Sequence, residues 1–299
     1  SAGYAGDNTW PQATDNVYVG RSAGRYLDDG YANVAIGKEA GHANSSEGNQ
    51  SYKSVWIGYQ AGYSITDSIN SVMIGYEAGK SVTTGDSNVL LGYQAGDAIT
   101  TNSGVIAIGL GAAGAISTTG DYTIAIGHGA MGGAEIGDGN IAIGYQSMQN
   151  ANSAGLHRNI AIGYQTMANV GSNGPDDNVA LGYTALNDIT TGGYNVGIGS
   201  YALEKVTTTN DNVSVGFVAG RRITGQRNIA IGSYAFDYGH VVNDSIAIGY
   251  QSGQYSTGSN NTFVGFWAGR GGTTSAPYSS GTNNTFLGYS AGKDFTTGF

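Results

Sequence analysis

Apolar residues recur along this chain in pairs two positions apart, and each pair is followed at once by glycine. Asn140-Ile141-Ala142-Ile143-Gly144-Tyr145-Gln146 returns as Asn159-Ile160-Ala161-Ile162-Gly163-Tyr164-Gln165. Looser copies run from Asn16-Val17-Tyr18-Val19-Gly20 to Asn284-Thr285-Phe286-Leu287-Gly288. The marker glycine recurs about every 17 residues, stretching to roughly 23, a period that belongs to repeat architectures. With that glycine numbered 0, positions −3 and −1 are Val, Ile or Leu almost throughout, as in Val34 and Ile36 or Ile229 and Ile231. Residues two apart share one face of a strand, and β-branched side chains suit its pleat. The pattern predicts one short strand per repeat, with −3 and −1 inside a coil and −2 turned outward.

Position −2 is rarely polar: Ala35, Ala142 and Ala230 alternate with Tyr18, Trp56, Met73 and Phe263. An outer face that meets water should be polar. The expectation is that further copies of the same chain cover it. Position +3 is mostly Ala, which predicts crowding there. Position +4 is either Gly, as in Gly62 and Gly96, or a large apolar residue such as Met148, Leu186 or Phe236. That alternation predicts that space left by one repeat is filled in another. Asn prevails at −4, where it suits a left-handed turn and can stack into an amide ladder. A polar turn and a second short β-prone piece complete each unit. Units of this kind cannot bury an apolar face alone, and stacking buries it. The fold expected is all-β: a parallel β-solenoid of about sixteen rungs, with residues 1–15 as a lead-in and 16–299 as one repeat array. Neither end shows the polar capping repeat of a free solenoid, so further fibre segments are expected at both ends.

Composition narrows the partners. Gly accounts for 52 of 299 residues, Cys is absent, and the formal net charge is −9. An acidic chain with few cations argues against nucleic acid, which requires a basic surface. No apolar run reaches membrane-spanning length, so no membrane insertion is expected.

The string Asn-Val-Ala-Ile-Gly-x-x-Ala resembles the head repeats of trimeric autotransporter adhesins. The longer form, best seen in residues 178–203, is similar to repeats of phage tail fibres and related bacterial surface fibres. This resemblance covers about Asn16 to Gly292 and implies left-handed β-rolls in a parallel homotrimer. It also implies an extracellular place in a virion or bacterial surface fibre, and attachment to a host cell-surface glycan or protein. The coiled-coil stalk, membrane anchor and fibre chaperone domain of those families are not found in the sequence.

Candidate chemistry is sparse. Aromatic residues at +1 form a column: Tyr59, Tyr76, Tyr93, Tyr145, Tyr164, Tyr183, Phe217, Tyr250, Phe266 and Tyr289. It suits either a sugar-stacking strip or packing between protomers. Acidic turn residues such as Asp86, Asp121, Asp138 and Asp176 could offer oxygens to calcium, but they lack the spacing of calcium repeats and read as solvated turns. Histidines show no metal spacing, and the pairs Asp28-Asp29 and Asp176-Asp177 are adjacent rather than facing across a cleft. No catalytic residue, cofactor or metal is expected. The chain reads as a structural and adhesive fibre segment, with a polysaccharide-degrading tailspike or a passive self-stacking filament as the alternatives. Specificity is expected where loops break the period. The receptor-binding candidates are Trp267, Arg270 and Tyr278 between Gly265 and Gly288, and His42, Asn44, Tyr52 and Trp56 between Gly37 and Gly58, since Trp, Tyr and Arg dominate binding hot spots.

Overall fold

The computed structural model describes residues 14–27, 29–43, 49–116, 120–133, 136–150, 155–171, 173–238, 242–272 and 279–297. The chain divides into two compact units, residues 1–154 and 155–299. The first holds eight three-residue strands, β1 (Val17–Val19) to β8 (Ile141–Ile143). The second holds eight more, β9 (Ile160–Ile162) to β16 (Thr285–Leu287). Within each unit the strands pair in parallel in chain order, with equivalent repeat positions in register, as in Val179↔Val196 and Leu181↔Ile198. The architecture is the parallel β-solenoid that the period predicts, with one strand at each of the sixteen marker glycines.

The faces of the strand are reversed from the expectation. In every strand except the first and last, −2 is buried while −3 and −1 are half-buried or exposed, as in Ile229–Ile231 and Val55–Ile57. A three-residue strand sends one side chain inward and two outward, and the inward one is −2. The coil interior is completed by the +3 alanines, such as Ala61 and Ala95, by +4, and by +7 residues such as Ile65, Ile99 and Val206.

The interior is narrow, and its volume is shared between −2 and +4. Where +4 is Met148, Met167, Leu186 or Leu203, −2 is Ala142, Ala161, Ala180 or Gly197, and all of these large residues are fully buried. Where −2 is Trp56, Met73 or Leu90, +4 is Gly62, Gly79 or Gly96. A Cβ added at any of these three glycines would run into the large side chain. Trp56 also fills the rung before it, over Gly41.

Four positions per rung take a positive φ: −5, 0, +2 and +4. Rung nine shows Arg158 (56°), Gly163 (140°), Gln165 (48°) and Met167 (48°). The left-handed residue of the turn is therefore −5, not the Asn at −4. The Asn side chain does the other job foreseen for it and stacks into a buried ladder. Asn178 Oδ1 accepts the backbone N–H of Asn195 at 2.8 Å, and its Nδ2 donates to Gly192 O at 3.0 Å. Asn195, Asn212 and Asn228 repeat the motif. Ser54, Ser71 and Ser245 replace Asn with a hydroxyl acceptor.

This ladder satisfies a backbone amide that the sheet leaves open. Asn178→Ala strands the buried Asn195 N–H and Gly192 C=O, and should cost about 3 kcal/mol. Asn178→Ser should lose less, because its hydroxyl can still accept the amide. Urea unfolding of both variants measures the difference, and equal losses would refute the ladder's role.

Candidate functional site

The outer face of the rung carries three apolar columns, half-buried at −3 and half-buried to exposed at −1 and +1. Ile162, Ile198, Ile231 and Ile248 at −1 are 37–38% exposed, and Tyr164, Tyr183, Phe217, Tyr250 and Phe266 at +1 are 40–44% exposed. Neighbouring rungs cover the remainder of each side chain, because strands stack only about 4.8 Å apart. The +1 rings form stacked runs, interrupted at Leu110 in the first unit. In the first unit Tyr59, Tyr76 and Tyr93 stack at 5.1 and 5.0 Å. In the second, where +1 is Ser200 or Ser233, a Tyr at +2 fills the gap. Tyr201 lies between Tyr183 and Phe217, and Tyr234 between Phe217 and Tyr250.

The acidic turn residues are used within the stack. Asp86, Asp121, Asp138 and Asp176 each accept the backbone N–H of the equivalent turn one rung earlier, at 2.7–2.9 Å. Asp177 and Asp244 pair with Arg158 and Arg227 across one rung, and these guanidinium hydrogen bonds hold both carboxyls below their usual range. Among the described residues no three His, Cys, Asp or Glu side chains gather as a metal-holding group. Among the described residues no helix is long and apolar enough to cross a membrane.

The recognition candidates separate. Trp56 is fully buried inside the coil and presents nothing to a receptor, which corrects its assignment as a contact residue. It occupies −2, and −2 faces inward. Asn44 and Tyr278 lie outside the described residues. Tyr52 stacks on Tyr31 at 4.8 Å, with Lys53 beside both rings. His42 belongs to a different group: it stacks on Tyr63 at 4.7 Å and meets Tyr26 edge-on, and Tyr26 carries Arg25 over its ring. Burial, then the charge of Arg25, holds the His42 imidazole below its usual pKa.

Trp267 and Arg270 do come together, with the Arg270 guanidinium 5.6 Å from the indole ring. They belong to a larger group that the reading of loops missed. Arg221, Arg222, Tyr238, Tyr255 and Lys293 occupy +5 and +6 of rungs 12, 13, 14 and 16, and Arg270 is +5 of rung 15. Arg222 lies over Tyr238 at 4.8 Å, Tyr238 stacks on Tyr255 at 5.3 Å, Arg270 lies over Tyr255 at 5.5 Å, and Lys293 lies over Trp267 at 4.9 Å. Arg221 is held by Asp237 at 3.0 Å; burial pushes that carboxyl above its usual pKa, and the two nearby arginines oppose the shift. The signal was present in the sequence: adjacent arginines in a chain with 12 cations, followed by Tyr at the same repeat position in the next two units.

No protein-family model, curated protein or solved structure matches the chain.

Proposed function

We propose that the chain is a structural and adhesive segment of an extracellular fibre, of phage tail fibre or bacterial surface adhesin type, built as a parallel homotrimer that attaches to a host or surface. The observation that carries this reading is the outer apolar face. Soluble monomers rarely expose contiguous apolar patches beyond a few hundred Å². Here Val, Ile, Leu or Thr stands at −3 and −1 of every strand, and an aromatic ring stands at +1 in ten of the sixteen rungs. Identical parallel copies in register carry the same columns at the same rung spacing, so a second copy matches the face column for column. A face with so little charge gives no code for a different partner. The number three follows from the resemblance to fibre repeats.

The reading also explains why the face is so uniform. A receptor site needs unlike residues in one place, whereas a shaft needs the same contact at every rung. Light scattering on the purified chain should give three times 30.5 kDa. Ile198→Lys with Ile231→Lys puts two ammonium groups on that face and should shift the mass to a single folded chain with unchanged circular dichroism. A wild-type protein that is a well-folded monomer would reject the trimer. Attachment is checked by whole-cell binding without release of reducing ends, and sugar cleavage would favour a degrading enzyme instead.

A further inference from the structure

We infer that His128 makes the assembly of this chain acid-sensitive: it sets an ionisable group in the outer face, so that protonating the imidazoles of three copies drives the trimer apart into folded single chains. This inference rests on the homotrimer proposed above and adds its regulation.

Position in the repeat is the first argument. From rung 3 onward, +1 is Tyr, Phe, Leu or Ser at every rung except rung 7, where it is His128. The flanking columns at −3 and −1 hold Val, Ile, Leu or Thr throughout. Over those rungs His128 is therefore the one side chain of the three outer columns whose charge changes between pH 5 and 8. Parallel copies in register bring their seventh rungs to one level, so the three imidazoles share that level.

Surroundings are the second argument. His128 is exposed and meets Tyr145 edge-on, with ring centroids 5.3 Å apart. On its other side Leu110, also exposed, holds the same position in rung 6. The neighbouring +2 positions are bare. They are Gly111 and Gly129, whereas every other rung carries a side chain at +2. A Cβ added at Gly111 would have nothing within 4 Å, and one at Gly129 would meet only Gln146 Cγ, at 3.7 Å. Backbone left bare in this way admits another chain closely. Water solvates the imidazolium in the single chain, and neighbouring copies displace that water in the trimer.

No countercharge stands in these columns. Leu110, Gly111, Gly129, Tyr145 and Gln146 flank the ring, and His128 forms no ion pair among the described residues. The nearest charged positions in the repeat lie elsewhere: Asp97 at +5, Asp121 and Asp138 at −6, and Glu135, which lies outside the described residues. Burying an imidazolium is unfavourable, and three like charges at one level repel. The separated chains therefore bind more protons than the trimer. Trimer stability rises with pH and is lost as pH falls through the range in which exposed imidazoles charge. The fold of each chain is unaffected, because the ring meets water there in either charge state.

Other titrations are separable. Glu39 and Glu77, at +2 beside the outer face, are held below the usual carboxylate range, chiefly by hydrogen bonds from Gln60 and Lys80, so they discharge only at more acid pH. Burial raises the Asp97 and Asp237 carboxyls, but both lie at +5, off the outer columns. The other histidines, His42, His157 and His240, fall at +5, −6 and +8 of the repeat.

Sedimentation velocity of the full chain over a concentration series gives the dissociation constant of the trimer at about pH 7.5 and about pH 5.5, either side of the imidazole range. A fixed, sub-denaturing urea concentration brings tight association within reach. The constant should rise at least about tenfold at the acid pH, since each proton excluded from the trimer contributes up to a factor of about ten per pH unit. Circular dichroism should not change. His128→Tyr installs the commonest +1 residue and should abolish the response. His128→Gln, uncharged at both pH values, should do the same and serves if the tyrosine packs poorly. His157→Gln, off the outer face, should keep the wild-type response. A wild-type trimer whose constant is equal or lower at the acid pH would overturn the switch and leave the fibre reading standing. A full response in folded His128→Tyr and His128→Gln would also overturn it and assign the effect to the carboxyls. A chain that is monomeric at both pH values would overturn the fibre reading and the switch together.

Discussion

Gly182→Ala should cost about 4 kcal/mol or more and disrupt the stack locally, whereas Gly111→Ala should cost about 1 kcal/mol. Both glycines have positive φ, so propensity alone predicts similar losses. Their neighbours differ. Gly182 takes φ 135°, outside the left-handed region that other residues tolerate, and a Cβ there would lie 2.7 Å from the backbone carbonyl of Gly199 in the next rung. Relief would require the two rungs to separate, which breaks the cross-rung hydrogen bond from Gly199 N to Leu181 O at 2.8 Å. Gly111 takes φ 59°, with nothing within 4 Å of an added Cβ. Non-glycine residues already occupy its repeat position elsewhere, such as Gln94 and Gln146. Thermal and urea unfolding of the two variants measure the contrast. Similar stabilities would mean that the rung backbones do not approach as closely as described.

The period, the strands and the marker glycine were legible because they are repeated. A side chain that must be absent sixteen times over, with β-branched residues on either side of −2, leaves a pattern that no single substitution can hide. The facing of the strand was not legible from uniformity, and the physical reason is instructive. The steady Val and Ile at −3 and −1 look like a core, but a coil interior this narrow cannot be uniform. It must balance volumes rung by rung, so the inward position is the variable one. Ala142 with Met148, and Trp56 with Gly62, show that balance directly. The constant positions are those on the outer face, where no such balance is required.

Of the candidate site, Trp267 and Arg270 were found because both residue types stand out in a long unit. Arg222, Tyr238 and Tyr255 were missed because they lie in units of ordinary length. Their proximity appears only when the sequence is aligned on its glycines and read down the column, since residues about 17 apart in sequence become neighbours about 4.8 Å apart. Trp56 was chosen for its residue type and its place in a long unit, and neither tells an indole that recognises a partner from one that fills a coil.

The volume balance makes a sharp double-variant prediction. Trp56→Ala alone should cost about 4 kcal/mol, since the cavity it leaves is bordered by Gly41 and Gly62, which have no side chains to collapse into it. Gly62→Met alone should also destabilise, by about 2 kcal/mol or more, because its side chain would enter space the indole already holds. Together the two changes recreate the pairing of Ala142 with Met148. The backbone is ready for it: Gly62 has φ 60° and Met148 has φ 52°. The double variant should therefore be about 2–3 kcal/mol more stable than the sum of the single losses, the upper part of the range for residues sharing one cavity. Chemical unfolding of the four proteins closes the cycle. Additive losses would show that −2 and +4 do not fill one space, and would take away the physical reason for placing −2 inside the coil.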